Sequence, residues 1–188
     1  MSFTLEGLGP ADQGFITQLT PVILATLRSA SSAVQRGSAG GKSQRWFGDS
    51  SQPWMTQLAS DLNQMASILN MEKISIGFRP LAHRDGSFAV AAPPKAGWGK
   101  YTAISKARGQ NFSIQLDTAW NSAPLYSSGP SPADSMFQTI VHELTHLIVG
   151  SDDHSYGVAN CMALARTNPS KAKQNADNWG YFVEEFRS

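Results

Sequence analysis

Phe137-Gln138-Thr139-Ile140-Val141-His142-Glu143-Leu144-Thr145-His146-Leu147-Ile148 is the most informative stretch of this chain. Phe137, Ile140, Val141, Leu144, Leu147 and Ile148 make it apolar nearly all round, so it reads as a buried helix. Buried imidazoles need partners. Residues four apart lie on one helix face, one turn above each other. His142 and His146 can therefore both aim a ring nitrogen at one Zn²⁺, at about 2.0–2.1 Å. Glu143 stands about 100° round the helix from His142, within reach of a water at the metal without ligating the metal itself. A carboxylate so placed takes the proton of a water that attacks a carbonyl. This is hydrolytic chemistry. Two core histidines bonded to neighbours would be the plainer reading. Against it, the chain has only 4 histidines, and two flank this glutamate at ligand spacing.

Upstream, Ser131-Pro132-Ala133-Asp134 reads as the helix start, with a Ser cap and Pro in the first turn. Gly150 ends the helix. A catalytic zinc needs a third protein ligand and one open position. Asp152, Asp153 and His154 follow directly, and Glu184 or Glu185 in a later helix is also available. Spacing does not choose between them. The metzincin pattern is off by one, because Val149 stands where it needs Gly.

Further out, the chain reads as one domain over residues 1–188, with helices at about 12–70, a small sheet at about 74–118 and catalytic helices at about 131–187. Phe15, Leu19, Val22, Ile23 and Leu27 fall at helical spacing between Asp12 and Arg36, with Pro21 as a kink. Gly37 to Ser43 reads as a flexible loop. It resembles a phosphate-binding loop but has Arg36 where that pattern needs Gly. A second amphipathic helix spans Pro53 to Asn70. Ile74–Phe78, Phe88–Val90 and Phe112–Leu116 are short strands, the last alternating apolar and polar residues. Helices at Tyr156–Thr167 and from Asn168-Pro169 onward complete an α+β order, the latter with Ala172, Ala176, Trp179, Val183 and Phe186 on one stripe.

Composition excludes several classes. Apolar residues make up 41% and charged residues 15%, enough for a core and too little charge for a disordered chain. The net charge is +1 with basic residues scattered, which gives no electrostatic footprint for nucleic acid or anionic membrane. No run reaches the roughly 18 apolar residues of a spanning helix. The first ten residues lack the pattern of a secretory signal. Cys161 is the sole cysteine, so neither an internal disulfide nor a Cys-rich zinc site can form.

His-Glu-x-x-His followed by Gly150-Ser151-Asp152-Asp153-His154-Ser155-Tyr156-Gly157 resembles the signature of the aspzincin metallopeptidases, the deuterolysins and peptidyl-Lys metalloendopeptidases. Trp46-Phe47-Gly48 and the run from Asn168-Pro169 through Asn175-Ala176-Asp177 to Tyr181-Phe182 are similar to segments of the peptidyl-Lys branch. The resemblance implies Asp153 as third zinc ligand and Tyr156 as the phenol that stabilises the oxyanion. It also implies Asp177 as a substrate-binding acid in a pocket for Lys at P1′. In that branch a Glu stands three residues after this Asp, but Gly180 holds the place here. Secreted members carry disulfides that this chain cannot form.

The resulting expectation is a zincin-like α+β domain, a small twisted sheet packed on the His-Glu-x-x-His helix. The activity would be that of a zinc metalloendopeptidase with Glu143 as base. A peptide or protein substrate would pair with Phe112–Leu116 as an edge strand. The alternatives are a zinc hydrolase of a non-peptide amide such as a cell-wall crosslink, and a non-catalytic zinc domain. An exported bacterial effector or toxin, with an inhibitor or immunity partner, would reconcile the missing leader and disulfides with a family that is often secreted.

Overall fold

The computed structural model describes residues 3–71, 74–92, 112–127 and 133–187. Four short strands and seven α-helices are found among them. The chain enters through β1 (Thr4–Glu6) and runs into three helices, α1 (Pro10–Gln35), α2 (Gly40–Phe47) and α3 (Gln52–Met71). The rest of the sheet follows: β2 (Ser75–Phe78), β3 (Ala89–Ala92) and β4 (Ser113–Leu116). Four helices close the fold: α4 (Met136–Ile148), α5 (Val158–Thr167), α6 (Pro169–Gln174) and α7 (Ala176–Glu184).

The sheet order is β1-β2-β4-β3, with β1–β2 and β2–β4 parallel and β3–β4 antiparallel. Ile114 and Leu116 are fully buried while Ser113 and Gln115 are half-buried, the alternation the sequence pattern requires. β4 is nevertheless interior, flanked by β2 and β3. The strand at the end of the sheet beside the helix is β3, so the edge-strand expectation moves from Phe112–Leu116 to Ala89–Ala92. β1 joins the sheet from a segment with no clear strand pattern, held by pairing with β2 and by the Thr4 N–H bond to the Ile74 carbonyl at 2.9 Å.

α1 runs through Pro21 as one element and packs against α3. The expected loop at Gly37–Ser43 is instead largely the start of α2. This short helix carries Trp46 and Phe47 into an aromatic cluster with Trp54, Trp179, Tyr181 and Phe182, with centroid separations of 5.1–6.0 Å. Gly48 ends it at φ +65, and a Cβ there would stand 1.9 Å from the Ala165 carbonyl oxygen. Only glycine meets both demands. Lys42, the lysine of the phosphate-loop look-alike, is tied to the Glu185 carbonyl at 2.7 Å.

α4 begins at Met136, later than the Ser131–Asp134 start expected from sequence; Ser131 and Pro132 lie outside the described residues. Three of its first N–H groups find partners there: Met136 on the Pro124 carbonyl, Phe137 on the Leu125 carbonyl and Gln138 on the Ser135 hydroxyl. Every residue of α4 is buried. It packs against β3, β4 and α7.

Candidate metal centre

His142 and His146 stand one turn apart on α4, and the loop after it brings Asp153 back to them. Their Nε2 atoms lie 3.0 Å apart, and Asp153 Oδ1 is 3.1 Å from the first and 3.3 Å from the second. A tetrahedral zinc with bonds of about 2.0–2.1 Å has ligand–ligand edges of roughly 3.3 Å. Three donors at this spacing fit three corners and leave the fourth open. The other ring nitrogens fix the tautomers: His142 Nδ1 donates to Asp177 Oδ1 at 2.7 Å and His146 Nδ1 to the Ser151 carbonyl at 2.8 Å. Both acceptors lack a proton to give, so Nδ1 of each ring keeps its proton and Nε2 is the nitrogen left to ligate a metal that displaces its proton.

The electrostatics favour a cation at this point. Burial opposes the charged imidazole, but the carboxylates of Asp153 and Asp177 prevail and push His142 up to about 10. His146 is raised too, against the same burial, chiefly by Asp153. Despite its own partial burial, hydrogen bonds from both histidines hold Asp153 far below the usual carboxylate range.

Glu143 is 3% exposed, its Oε1 3.9 Å from His142 Nε2. Burial pushes its pKa up, with the two histidines opposing. The Ala91 N–H of β3 hydrogen-bonds the carboxylate, while Oε2 has no hydrogen-bond partner among the described residues. Glu143 is among the residues lining a cleft of about 430 Å³ between α4, β3 and the turn at Asp85–Phe88. Tyr156 closes the same space. Its ring lies over His142 at 6.3 Å and its phenol is close enough to Asp153 to feel that carboxylate. Partial burial and that carboxylate raise its pKa.

The loop is pinned by Asn175. The sequence stripe predicts one helix from Asn168 onward, but the helix breaks at Asn175, which is extended at φ −91, ψ 119. There the chain pairs with Asp152: the Asp152 N–H reaches the Gln174 carbonyl at 2.7 Å and the Ala176 N–H the Asp152 carbonyl at 3.0 Å. Asn175 Oδ1 accepts the N–H groups of His154 and Ser155. That grip holds Asp153 against the histidines.

Of the residues singled out in sequence, the structure assembles His142, Glu143, His146, Asp153, Tyr156 and Asp177 around one cleft. Glu184 and Glu185 are elsewhere: Glu184 accepts from Ser127 N–H and the Ser135 hydroxyl, and Glu185 from Arg45 and Trp46. Among the described residues, His142, His146 and Asp153 are the one group of His, Cys and acidic side chains arranged to hold a metal ion. Gln138 went unnoticed in sequence, although it is four residues before His142 on the same face. It donates to Asp177 Oδ1 at 2.9 Å.

Residues 32–184 match the aspzincin family model, described as lysine-specific metallo-endopeptidase. This chain belongs to the aspzincins. The fold agrees: the zinc peptidase from Grifola frondosa superposes with a TM-score of 0.72 at 24% identity, over 95% of this chain and 97% of that one. Among curated proteins, an extracellular protease of Aeromonas hydrophila is 43% identical over 77 residues, 40% of this chain and 21% of its own. A peptidyl-Lys metalloendopeptidase of Armillaria mellea is 36% identical over 75 residues, 39% of this chain and 21% of its own. The aligned part thus spans about a fifth of either relative. Within the aspzincin frame, the departure at Gly180 is structural: a Cβ there would meet Gln138 Cγ and Nε2, each at 2.9 Å.

Proposed function

We propose that this chain is a zinc-dependent metalloendopeptidase acting on peptide or protein substrates, with His142, His146 and Asp153 as zinc ligands. The observation that carries the reading is the buried Glu143 carboxylate, with Oε2 unpartnered among the described residues, lining the cleft beside a three-donor set. A structural zinc site has no use for a base in that position. Bound zinc supplies a Lewis acid that polarises a carbonyl and acidifies water. The chain's own residues do the rest. Glu143 takes the proton of the attacking water and delivers it to the leaving amine, which its raised pKa suits. The Tyr156 phenol donates to the developing oxyanion. Asp177 and the Ser151 carbonyl keep both imidazoles oriented. An extended peptide adds to the end of the sheet at β3, whose Ala91 N–H already bonds Glu143.

A preference for Lys at P1′ is part of the proposal, supported by relatives named peptidyl-Lys metalloendopeptidases and by the acidic residues of the cleft. Action outside the producing cell is supported by the extracellular protease of Aeromonas hydrophila. No helix among the described residues is long and apolar enough to cross a membrane. Cleavage of a defined peptide library by zinc-loaded wild type and Glu143→Gln tests the reading. Wild type should cleave, and the variant should lose about 10²–10⁴-fold in kcat while keeping its zinc. Equal activity in both, or cleavage only of cell-wall amide crosslinks, would contradict it.

A further inference from the structure

The turn at Asp85–Phe88 presents side chains to the cleft that water still reaches, yet its main chain is tied from behind. β2 and β4 run parallel with Phe78 beside Leu116, and a charged residue follows each strand, Arg79 after β2 and Asp117 after β4. Asp117 is fully buried. Arg79 Nη1 bridges two carboxylates, Asp117 Oδ2 at 3.0 Å and Asp85 Oδ2 at 2.9 Å. The Asp85 N–H reaches the same Asp117 oxygen at 3.3 Å, and Asp85 Oδ1 takes the Ser87 N–H at 3.1 Å. Main chain completes the knot. The Asp117 N–H bonds the Phe88 carbonyl at 2.9 Å and the Ala119 N–H the Ser87 carbonyl at 3.2 Å.

A buried carboxylate is costly to desolvate and persists where a cation and N–H donors hold it. Here those partners are the guanidinium and main chain of the segment that carries the turn. Among the described residues, the cleft lining includes Asp85, Gly86, Ser87 and Phe88 but neither Arg79 nor Asp117. The pair therefore acts on the cleft only through the turn. β3 is anchored separately, with Ala89 paired to Leu116 and Ala91 to Ile114. The Ala91 N–H thus stays on Glu143 when the turn shifts, and the base keeps its place.

We propose that Arg79 and Asp117 are positioning residues for substrate binding: their ion pair fixes the main chain of Asp85–Phe88, the wall an extended peptide meets opposite α4. This rests on the peptidase reading. Loss of the pair acts on KM and spares the chemical step, because the metal ligands and Glu143 belong to other elements. A pair that only stabilised the fold would lower the melting temperature and leave the KM of the folded protein alone.

The test measures kcat, KM and zinc content on one peptide substrate for zinc-loaded wild type, Arg79→Gln, Arg79→Lys, Asp85→Ala, Asp85→Asn and the double variant Arg79→Gln/Asp85→Ala. Arg79→Gln should raise KM about tenfold, with kcat within about twofold and zinc unchanged. Arg79→Lys should recover most of the loss, since one ammonium can meet both carboxylates. Asp85→Ala should raise KM about threefold, and the double variant should be no worse than Arg79→Gln, because both act through one knot. Asp85→Asn keeps an acceptor for the Ser87 N–H and should stay near wild type. That variant and Asp85→Ala carry the test should Arg79→Gln fail to fold. Additive effects in the double variant, or Asp85→Asn as impaired as Asp85→Ala, would mean that Asp85 meets the substrate by its charge, and overturn the proposal. So would a folded Arg79→Gln that keeps the wild-type KM or loses only kcat, and each of these leaves the peptidase reading intact. A zinc-loaded wild type that cleaves no peptide ends both.

Discussion

The two walls of the cleft are built differently. On the helix wall, Gln138, His142, Glu143, His146 and Asp177 are each less than a tenth exposed, and all hydrogen-bond protein partners. On the strand wall, Asp85 and Gly86 are exposed, and Ser87, Phe88 and Val90 are half-buried. The first wall holds atoms in place. The second offers main chain at the end of a sheet and side chains that water still reaches. Chemistry that depends on distances of tenths of an ångström sits where packing fixes rotamers, and recognition of a varied peptide sits where side chains are left free. Tyr156 spans the two, being 61% exposed yet stacked on His142.

Substitutions should separate the walls. Tyr156→Phe removes a donor to the oxyanion and should lower kcat by about 10²–10³-fold with KM and zinc content little changed. Steady-state kinetics with metal analysis checks this, and a change confined to KM would place Tyr156 with the strand wall. Asp177→Asn weakens the hold on His142 and should cost about 10–100-fold in zinc affinity, read by competition with a chelator. Unchanged affinity would show that the 2.7 Å bond to Nδ1 does not tune the site. Phe88→Ala should be the mildest, raising KM roughly 5–10-fold through about 1–1.5 kcal/mol of lost apolar contact, with zinc affinity unaltered. A loss of zinc in that variant would mean the walls are not independent.

The same contrast governs what was legible in the sequence. The approach of His142 and His146 beside Glu143 was, because four-residue spacing on a helix is a local rule that burial cannot alter. Which of Asp152, Asp153 and His154 faces the histidines was not readable from spacing, since it depends on the path of a loop that Asn175 grips. That grip also breaks the expected C-terminal helix, a tertiary demand overriding a good apolar stripe. The edge strand was misplaced for a related reason: Phe112–Leu116 has the better strand pattern because it lies inside the sheet, whereas Ala89–Ala92, small and plain, ends it. Glycine-rich residues 37–43 look like a loop until Trp46 and Phe47 are seen anchoring α2 in the aromatic cluster. The hydrogen bonds of Asp177 to Gln138 and His142 were not legible, because they join α7 to one face of α4 across the tertiary fold.

Metal content tests the central claim most directly. Wild type and His146→Ala, purified in parallel and dialysed against trace zinc, should differ in bound metal by elemental analysis. About one zinc per wild-type chain and none retained by the variant is the expected result, with both folded by circular dichroism. Wild type without zinc, or a variant that keeps it, would contradict the assignment of His142, His146 and Asp153 as the metal centre.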